Sequence, residues 1–208
     1  MLAEIRIVYV DDQSDEILSK YVSQVYCSRQ YAPTFGDPVV NKKYEEIKFD
    51  GSKGYESLIQ DARICSANVV LIDNHLFEER NATMGRFSGK QFKVILRKLL
   101  PFVEVIIITQ DESLVGENVI RKFSDRHGKD SNVYYDEELS PLLDTAIQEV
   151  LDFEELADDL TQSSDVEKLL IDKIVNSVKG GNSYDSLTKS DIDSLIASFK
   201  ELKDGCGD

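Results

Sequence analysis

The sequence has little of what builds disulfide-rich domains or zinc sites. Its 208 residues include three cysteines, two histidines and no tryptophan. Cys27, Cys65 and Cys206 are widely spaced and form no CxxC pair, so neither a disulfide framework nor a zinc site is indicated. An odd number of separated cysteines suits a reducing compartment, and we therefore expect the protein to be cytoplasmic.

Basic residues and long apolar runs are also scarce. The chain has 24 basic residues against 39 acidic ones, a formal net charge of −15. Binding to a nucleic-acid backbone needs a basic surface, so DNA is not expected as a direct partner. No apolar run approaches the roughly 18 residues that a membrane span requires, and a strand pattern begins within the first residues. We therefore expect no membrane partner and no targeting segment.

Short apolar, β-branched runs alternate with segments of helical period. The strand-like runs are residues 5–10, 44–49, 69–72, 103–108 and 133–135. The helical segments are residues 17–25, 55–62, 92–99, 115–123 and 142–150. Five successive strand and helix units predict an α/β fold with a parallel sheet covered on both faces. We expect a doubly wound, five-stranded sheet in the order 2-1-3-4-5.

The pattern changes after about residue 156. Two amphipathic segments follow, the first ending at Gly180-Gly181 and the second at Gly205. They predict a C-terminal α-helical hairpin over residues 157–208, appended to a main domain of residues 1–156. The apolar faces of the hairpin need cover from the main domain, from a second copy in a homodimer, or from another protein. Its net charge of −5, without arginine, is the opposite of what a DNA-reading helix needs.

Three carboxylates stand at the ends of predicted neighbouring strands. Asp11 and Asp12 directly follow the first run, and Asp73 directly follows the third. Parallel neighbours end at the same edge of a sheet, so these acids can share one pocket, where Mg²⁺ would relieve their repulsion. One carboxylate could then attack a phosphoryl donor, with Thr109 at the end of the fourth run hydrogen-bonding a phosphoryl oxygen. The plainer reading of the Asp pair is a helix N-cap.

The strand-end motifs resemble those of response-regulator receiver domains in two-component signalling. The matching segments are Val8-Tyr9-Val10-Asp11-Asp12, Val70-Leu71-Ile72-Asp73 and Val105-Ile106-Ile107-Ile108-Thr109. The resemblance implies that Asp73 is the phosphoacceptor and Thr109 the switch hydroxyl. It also implies that Asp11, Asp12, Asp73 and the backbone carbonyl of His75 hold Mg²⁺.

The fifth strand motif departs from this family. Receivers carry a lysine after strand five, whereas the run 133–135 is followed by three acids, residues 136–138. The sequence therefore indicates an atypical receiver that lacks this lysine. Tyr134 or Tyr135 resembles the aromatic residue that moves with the switch hydroxyl. Basic side chains that could replace the lysine come from the long connection after the third strand: Arg80, Arg86 and Lys90.

These features predict a signalling protein of a phosphorelay rather than a turnover enzyme. The phosphoryl group would come from a histidine kinase or phosphotransfer protein, and the output would be binding to another protein. One alternative is a pseudo-receiver, an interaction module that phosphorylation does not switch. Another is a haloacid-dehalogenase-like phosphatase, but that family has a DxD motif, which Asp11-Asp12-Gln13 does not provide.

Overall fold

A five-stranded parallel sheet forms the centre of the protein. The structure, a computed structural model, describes residues 3–30, 39–50, 54–77, 88–125 and 128–162. The strands are β1 (Ala3–Asp11), β2 (Val40–Lys48), β3 (Val69–Asp73), β4 (Glu104–Thr109) and β5 (Val119–Arg121). Their order across the sheet is β2-β1-β3-β4-β5, with every neighbouring pair parallel. The predicted order 2-1-3-4-5 is confirmed.

Helices cover both faces of this sheet. They are α1 (Glu16–Lys20, continued by a π-helix over Tyr21–Tyr26), α2 (Glu56–Ile59), α3 (Ala62–Cys65), α4 (Gly89–Leu99), α5 (Ser131–Glu138) and α6 (Ser140–Gln162). Buried side chains of α1, α5 and α6 form a core cluster with one face of the sheet. Those of α2, α3 and α4 form a second cluster with the other face. Every residue of β3 and β4 is buried, as expected for central strands covered on both sides.

The fifth strand lies elsewhere in the sequence than predicted. Residues 133–135, predicted as a strand, belong to helix α5, and β5 lies inside segment 115–123, predicted as a helix. The β-branched and aromatic residues of Val133-Tyr134-Tyr135 favour a strand locally, but the Asp130 side chain caps a helix there by accepting from the Asn132 amide. With three residues, β5 is too short for its alternation to be recognised.

The connection from β4 to β5 contains no helix. Residues 110–118 are all described, and they pass from one strand to the next through turns. Asn118 adopts a left-handed backbone conformation with φ of 57°, which asparagine tolerates better than most residues. Its carbonyl accepts from the Ile107 amide at 2.8 Å, so this turn brings the chain directly into register with β4.

Helix α6 continues through the predicted domain boundary. It runs from Ser140 to Gln162, and Ala157 is fully buried. Its Phe153 ring packs against Phe102, with centroids 5.1 Å apart. The predicted helical hairpin lies outside the described residues beyond Gln162 and stays a prediction. Within the described part of the chain, no helix combines the length and apolar character needed to cross a membrane.

Candidate functional site

Three carboxylates meet at the carboxyl edge of β1 and β3. Val10 is in register with Ile72 on the neighbouring strand. The two strands therefore end at the same level of the sheet and bring Asp11, Asp12 and Asp73 close together. Carboxylate oxygens of the three residues lie within 4.8 Å of one another. They line a pocket of about 410 Å³ together with Gln13, His75, Gln110, Asp111 and Lys122.

Lys122 bridges two of these acids. Its Nζ lies 2.7 Å from Asp11 Oδ2 and 3.0 Å from Asp73 Oδ1, and its side chain is 11% exposed. Burial works against the ammonium form, but the bonds to Asp11 and Asp73 outweigh it and raise the pKa of Lys122. The lysine therefore stays charged between the two carboxylates.

The predicted absence of a lysine after strand five is wrong. Strand β5 ends at Arg121, and Lys122 is the next residue. The register of β5 with β4 pairs Arg121 with Thr109, which brings Lys122 to the edge where Asp73 ends. The prediction failed because strand five was assigned to residues 133–135. The signal that could have found the lysine is the short run Val119-Ile120-Arg121-Lys122, in which apolar residues precede the basic side chain.

Asp11 is held by three donors. The Gln13 amide donates to Oδ1 at 2.9 Å, and Oδ2 accepts from both Lys122 and the Tyr9 hydroxyl. Tyr9 is fully buried in the sheet. Its burial and the neighbouring Asp11 charge raise the pKa of Tyr9, so the phenol remains protonated and acts as a donor. These contacts restrict the Asp11 carboxylate to one orientation.

Asp73 is buried and has donors on both carboxylate oxygens. Oδ1 contacts Lys122, and Oδ2 accepts from the His75 backbone amide at 2.7 Å. Burial raises the pKa of Asp73, although the Lys122 charge works in the opposite direction. His75 contacts Asp73 through its amide and lines the pocket; its carbonyl as a Mg²⁺ ligand stays a prediction.

The start of helix α4 packs directly behind Asp73. The Gly89 amide donates to the Asn74 carbonyl at 2.9 Å, and the Asn74 side chain accepts from the Lys90 amide at 3.3 Å. A Cβ at position 89 would lie 2.5 Å from the Asp73 carbonyl oxygen. A side chain is therefore excluded at position 89. Glycine lets the start of α4 lie closer to the end of β3 than any other residue type would at this position.

The donor set fits a hard divalent cation. The carboxylates of Asp11, Asp12 and Asp73 and the Lys122 ammonium together carry a formal charge of −2. Burial and the neighbouring Asp11 raise the pKa of Asp12, and a cation beside it would favour its ionised form. Carboxylate oxygens are the ligands that Mg²⁺ prefers, and such an ion would supply the missing positive charge.

Thr109 and Asp111 form the neighbouring wall. Thr109 ends β4 and is fully buried, and its hydroxyl accepts from the Asp111 amide at 3.0 Å. The Asp111 carboxylate accepts from the Ser113 hydroxyl and amide at 2.7 and 2.8 Å. These bonds lower the pKa of Asp111, so it remains ionised and adds negative charge at the pocket entrance.

The tyrosines predicted as switch aromatics do not lie on strand five. Tyr134 and Tyr135 belong to α5, and their hydroxyls bond to backbone groups of Arg121 and Phe123, on either side of Lys122. Arg80 and Arg86, considered as substitutes for a missing lysine, lie outside the described residues. Since Lys122 contacts both buried acids, the pocket needs no such substitute.

Solved response regulators are structurally similar to this chain at low sequence identity. A two-component transcriptional regulator AraC from Clostridium phytofermentans ISDg is 20% identical with a TM-score of 0.39, over 73% of this chain and 98% of that one. The RcsB response regulator in complex with DNA is 15% identical with a TM-score of 0.35, over 94% and 98%. The RcsB response regulator from Salmonella typhimurium is 15% identical with a TM-score of 0.35, over 96% of this chain and 98% of that one. No protein-family model and no curated protein matches the sequence.

Proposed function

We propose that the protein is a receiver-type signalling protein that accepts a phosphoryl group on Asp73. The observation that carries this proposal is the bridge from Lys122 to Asp11 and Asp73, at 2.7 and 3.0 Å. A buried ammonium beside a buried carboxylate can pair with the phosphoryl oxygens that replace the carboxylate charge. If Asp11 and Asp12 served only as a helix N-cap, a buried lysine between Asp11 and Asp73 would not be needed.

The proposed roles of the acids rest on their shared place in the pocket. Asp11 and Asp12, with Asp73, are the proposed ligands of Mg²⁺, which when bound would screen the charge of the incoming phosphoryl oxygens. An Asp73 carboxylate oxygen attacks phosphorus, the bond from phosphorus to the donor breaks, and the donor leaves with the bonding electrons. The product is an aspartyl phosphate whose oxygens accept from Lys122, with the Thr109 hydroxyl as the proposed second donor.

The proposed partners are proteins. A histidine kinase or phosphotransfer protein supplies the phosphoryl group, and a downstream protein binds the altered surface. A direct DNA contact is not proposed, because the chain has a net charge of −15 and backbone binding needs the opposite sign. A cytoplasmic location agrees with the supply of such phosphodonors.

The test uses a small phosphodonor. The full-length protein is incubated with Mg²⁺ and acetyl phosphate, and its intact mass is compared with that of Asp73→Asn. We expect the mass of one phosphoryl group on the native protein, lost on treatment with hydroxylamine, and no addition to the variant. Asp159→Asn, at an exposed position of α6, is the matched control and should be modified like the native protein.

Three other outcomes would contradict the proposal. An adduct that persists in Asp73→Asn would show that another group is modified. Absence of an adduct, together with no Mg²⁺-dependent binding of beryllofluoride, would make the protein a pseudo-receiver. Hydrolysis of simple phosphate esters with turnover would instead support the phosphatase alternative.

A further inference from the structure

Lys122 stands on a weakly supported part of the sheet. Strand β5 has three residues and lies at the edge, where β4 is its neighbour. In an edge strand, half of the backbone N–H and C=O groups face away from the neighbouring strand and do not bond to it. Such strands open more easily than central ones. The Lys122 amide continues the ladder by one bond, donating to the Thr109 carbonyl at 2.7 Å. A flexible lysine side chain at such a position needs further support to hold one geometry.

Two tyrosines from α5 supply bonds to the residues that flank the lysine. The Tyr134 hydroxyl donates to the Arg121 carbonyl at 3.1 Å. The Tyr135 hydroxyl accepts from the Phe123 amide at 3.0 Å. Together with the Lys122 amide, three consecutive residues are thus held by hydrogen bonds. The hydroxyls act on the open edge of β5, where a further strand would have supplied backbone partners.

The tyrosines themselves are fixed by packing. Tyr135 is fully buried, and its ring centroid lies 5.3 Å from that of Tyr21. The ring of Tyr134 lies 5.8 Å from Phe123. Helix α5 is also tied to the π-helix that continues α1 on the same face of the sheet, because the Tyr21 hydroxyl donates to Asp136 at 2.6 Å. The two hydroxyls therefore present rigid partners to the end of β5.

We propose that Tyr134 and Tyr135 are positioning residues that hold Lys122 over Asp11 and Asp73. They act through the backbone on each side of the lysine and do not touch the pocket. The positioning of Lys122 can be tested without a phosphodonor. Its effect on phosphoryl acceptance rests on the function proposed for Asp73. Helix α5 thereby becomes the element whose position sets the reach of the lysine into the site.

The test removes both hydroxyls and keeps the rings, in the full-length Tyr134→Phe/Tyr135→Phe variant. Two readouts need no phosphodonor: hydrogen exchange of the Phe123 amide, and acylation of Lys122 by acetic anhydride measured by peptide mass spectrometry. We expect both rates to rise by roughly threefold to tenfold, the effect of losing one ordinary hydrogen bond. The rate of aspartyl phosphate formation should fall in the same variant.

The matched control is Tyr26→Phe/Tyr44→Phe. The hydroxyls of these two tyrosines bond to Asp144 and Ser19, away from Lys122. Its stability should fall, while acylation of Lys122 and exchange of Phe123 stay at native rates. Should the double variant fail to fold, Tyr134→Phe alone removes the hydroxyl of the less buried ring, which donates to the Arg121 carbonyl. Acylation of Lys122 is then the readout, and an unchanged rate would again overturn the positioning role.

The outcomes separate this inference from the proposed function. Unchanged acylation of Lys122 in the folded variant, or an equal change in the control, would overturn the positioning role. Increased acylation without any phosphorylation of the native protein would support the positioning role and refute the phosphoacceptor function. Increased acylation with slower phosphorylation would support both.

Discussion

Lys122 offsets part of the charge of two buried acids. Asp11 and Asp73 are 1% and 4% exposed, and each lies within 3.0 Å of the same ammonium group. Removing one partner of a buried ion pair leaves a desolvated charge that nothing compensates. The lysine therefore contributes to folding as well as to the proposed chemistry.

Replacing this lysine should make stability depend on Mg²⁺. In Lys122→Met the free energy of unfolding without metal should fall by about 3–5 kcal/mol, because two carboxylates lose their buried counter-charge. Added Mg²⁺ should restore more stability to the variant than to the native protein, because a cation that binds the folded state stabilises it by mass action. Urea unfolding with and without Mg²⁺ measures both effects.

The control for that experiment is Lys98→Met, an exposed lysine of α4, which should change stability by less than about 0.5 kcal/mol. Equal behaviour of the two variants would show that Lys122 does not compensate the acids. Lys122→Arg retains the charge and serves where the methionine variant does not fold. Its stability should be closer to that of the native protein.

At the scale of elements, the start of α4 determines how closely a helix approaches the site. Ser88 forms a capping box with Gln91: its hydroxyl accepts from the Gln91 amide, and its own amide donates to the Gln91 side chain. The next residue, Gly89, then lies against the backbone of Asp73. Capping and close approach thus fix the helix beside the proposed phosphoacceptor.

A methyl group at Gly89 should disturb this contact. The added Cβ of Gly89→Ala would lie 2.5 Å from the Asp73 carbonyl oxygen, so α4 or the end of β3 must move. We expect a loss of about 1–3 kcal/mol, as for other overpacked sites, and weaker Mg²⁺ binding, since Asp73 is displaced. Chemical unfolding and calorimetric titration with Mg²⁺ measure the two effects.

Gly116→Ala provides a matched comparison in the β4 to β5 connection. The nearest atom to its added Cβ is Val119 Cγ2 at 3.5 Å, an ordinary contact. This variant should keep native stability and native Mg²⁺ affinity. A Gly89→Ala protein as stable as Gly116→Ala would show that the α4 contact is loose enough to admit a side chain.

At the scale of the whole molecule, α6 runs past the predicted domain boundary at residue 156 without a break and reaches Gln162. The helix shares a core cluster with the sheet through residues up to Leu151, and Ala157 is also buried. A cut at the predicted boundary after residue 156 would remove Ala157 and the last helical turns. The division into residues 1–156 and 157–208 stays a prediction, and truncation can test where the folded unit ends.

Two truncated chains should differ in stability. A protein ending at residue 162 should unfold at a midpoint about 2–4 °C above that of one ending at 156, because about 1 kcal/mol of helix and packing is kept. Thermal denaturation makes the comparison. Equal midpoints would place the end of the folded unit at or before residue 156. Sedimentation of the full-length chain beside the 162-residue chain then tests the homodimer hypothesis, which an unchanged monomer would refute.

Much of the fold could be predicted because its central strands are locally distinctive. Residues of β1, β3 and β4 are continuous apolar runs, the pattern of strands buried on both faces, and each ends in a polar residue of the site. Their order followed from the rule that successive units cross over with one hand. The clustering of Asp11, Asp12 and Asp73 could be predicted for the same reason, since parallel neighbours end at one edge.

The sequence by itself thus determined the sheet, its order and the acidic cluster, because these depend on local apolar patterns and on general rules of chain connection. The position of β5, and with it Lys122, was decided by tertiary structure. The three residues of β5 carry too little local preference, and the β-prone residues 133–135 are capped as a helix by Asp130. Only the pairing of β5 with β4 brings Lys122 next to Asp11 and Asp73. Asp11 precedes the lysine by 111 residues in the sequence.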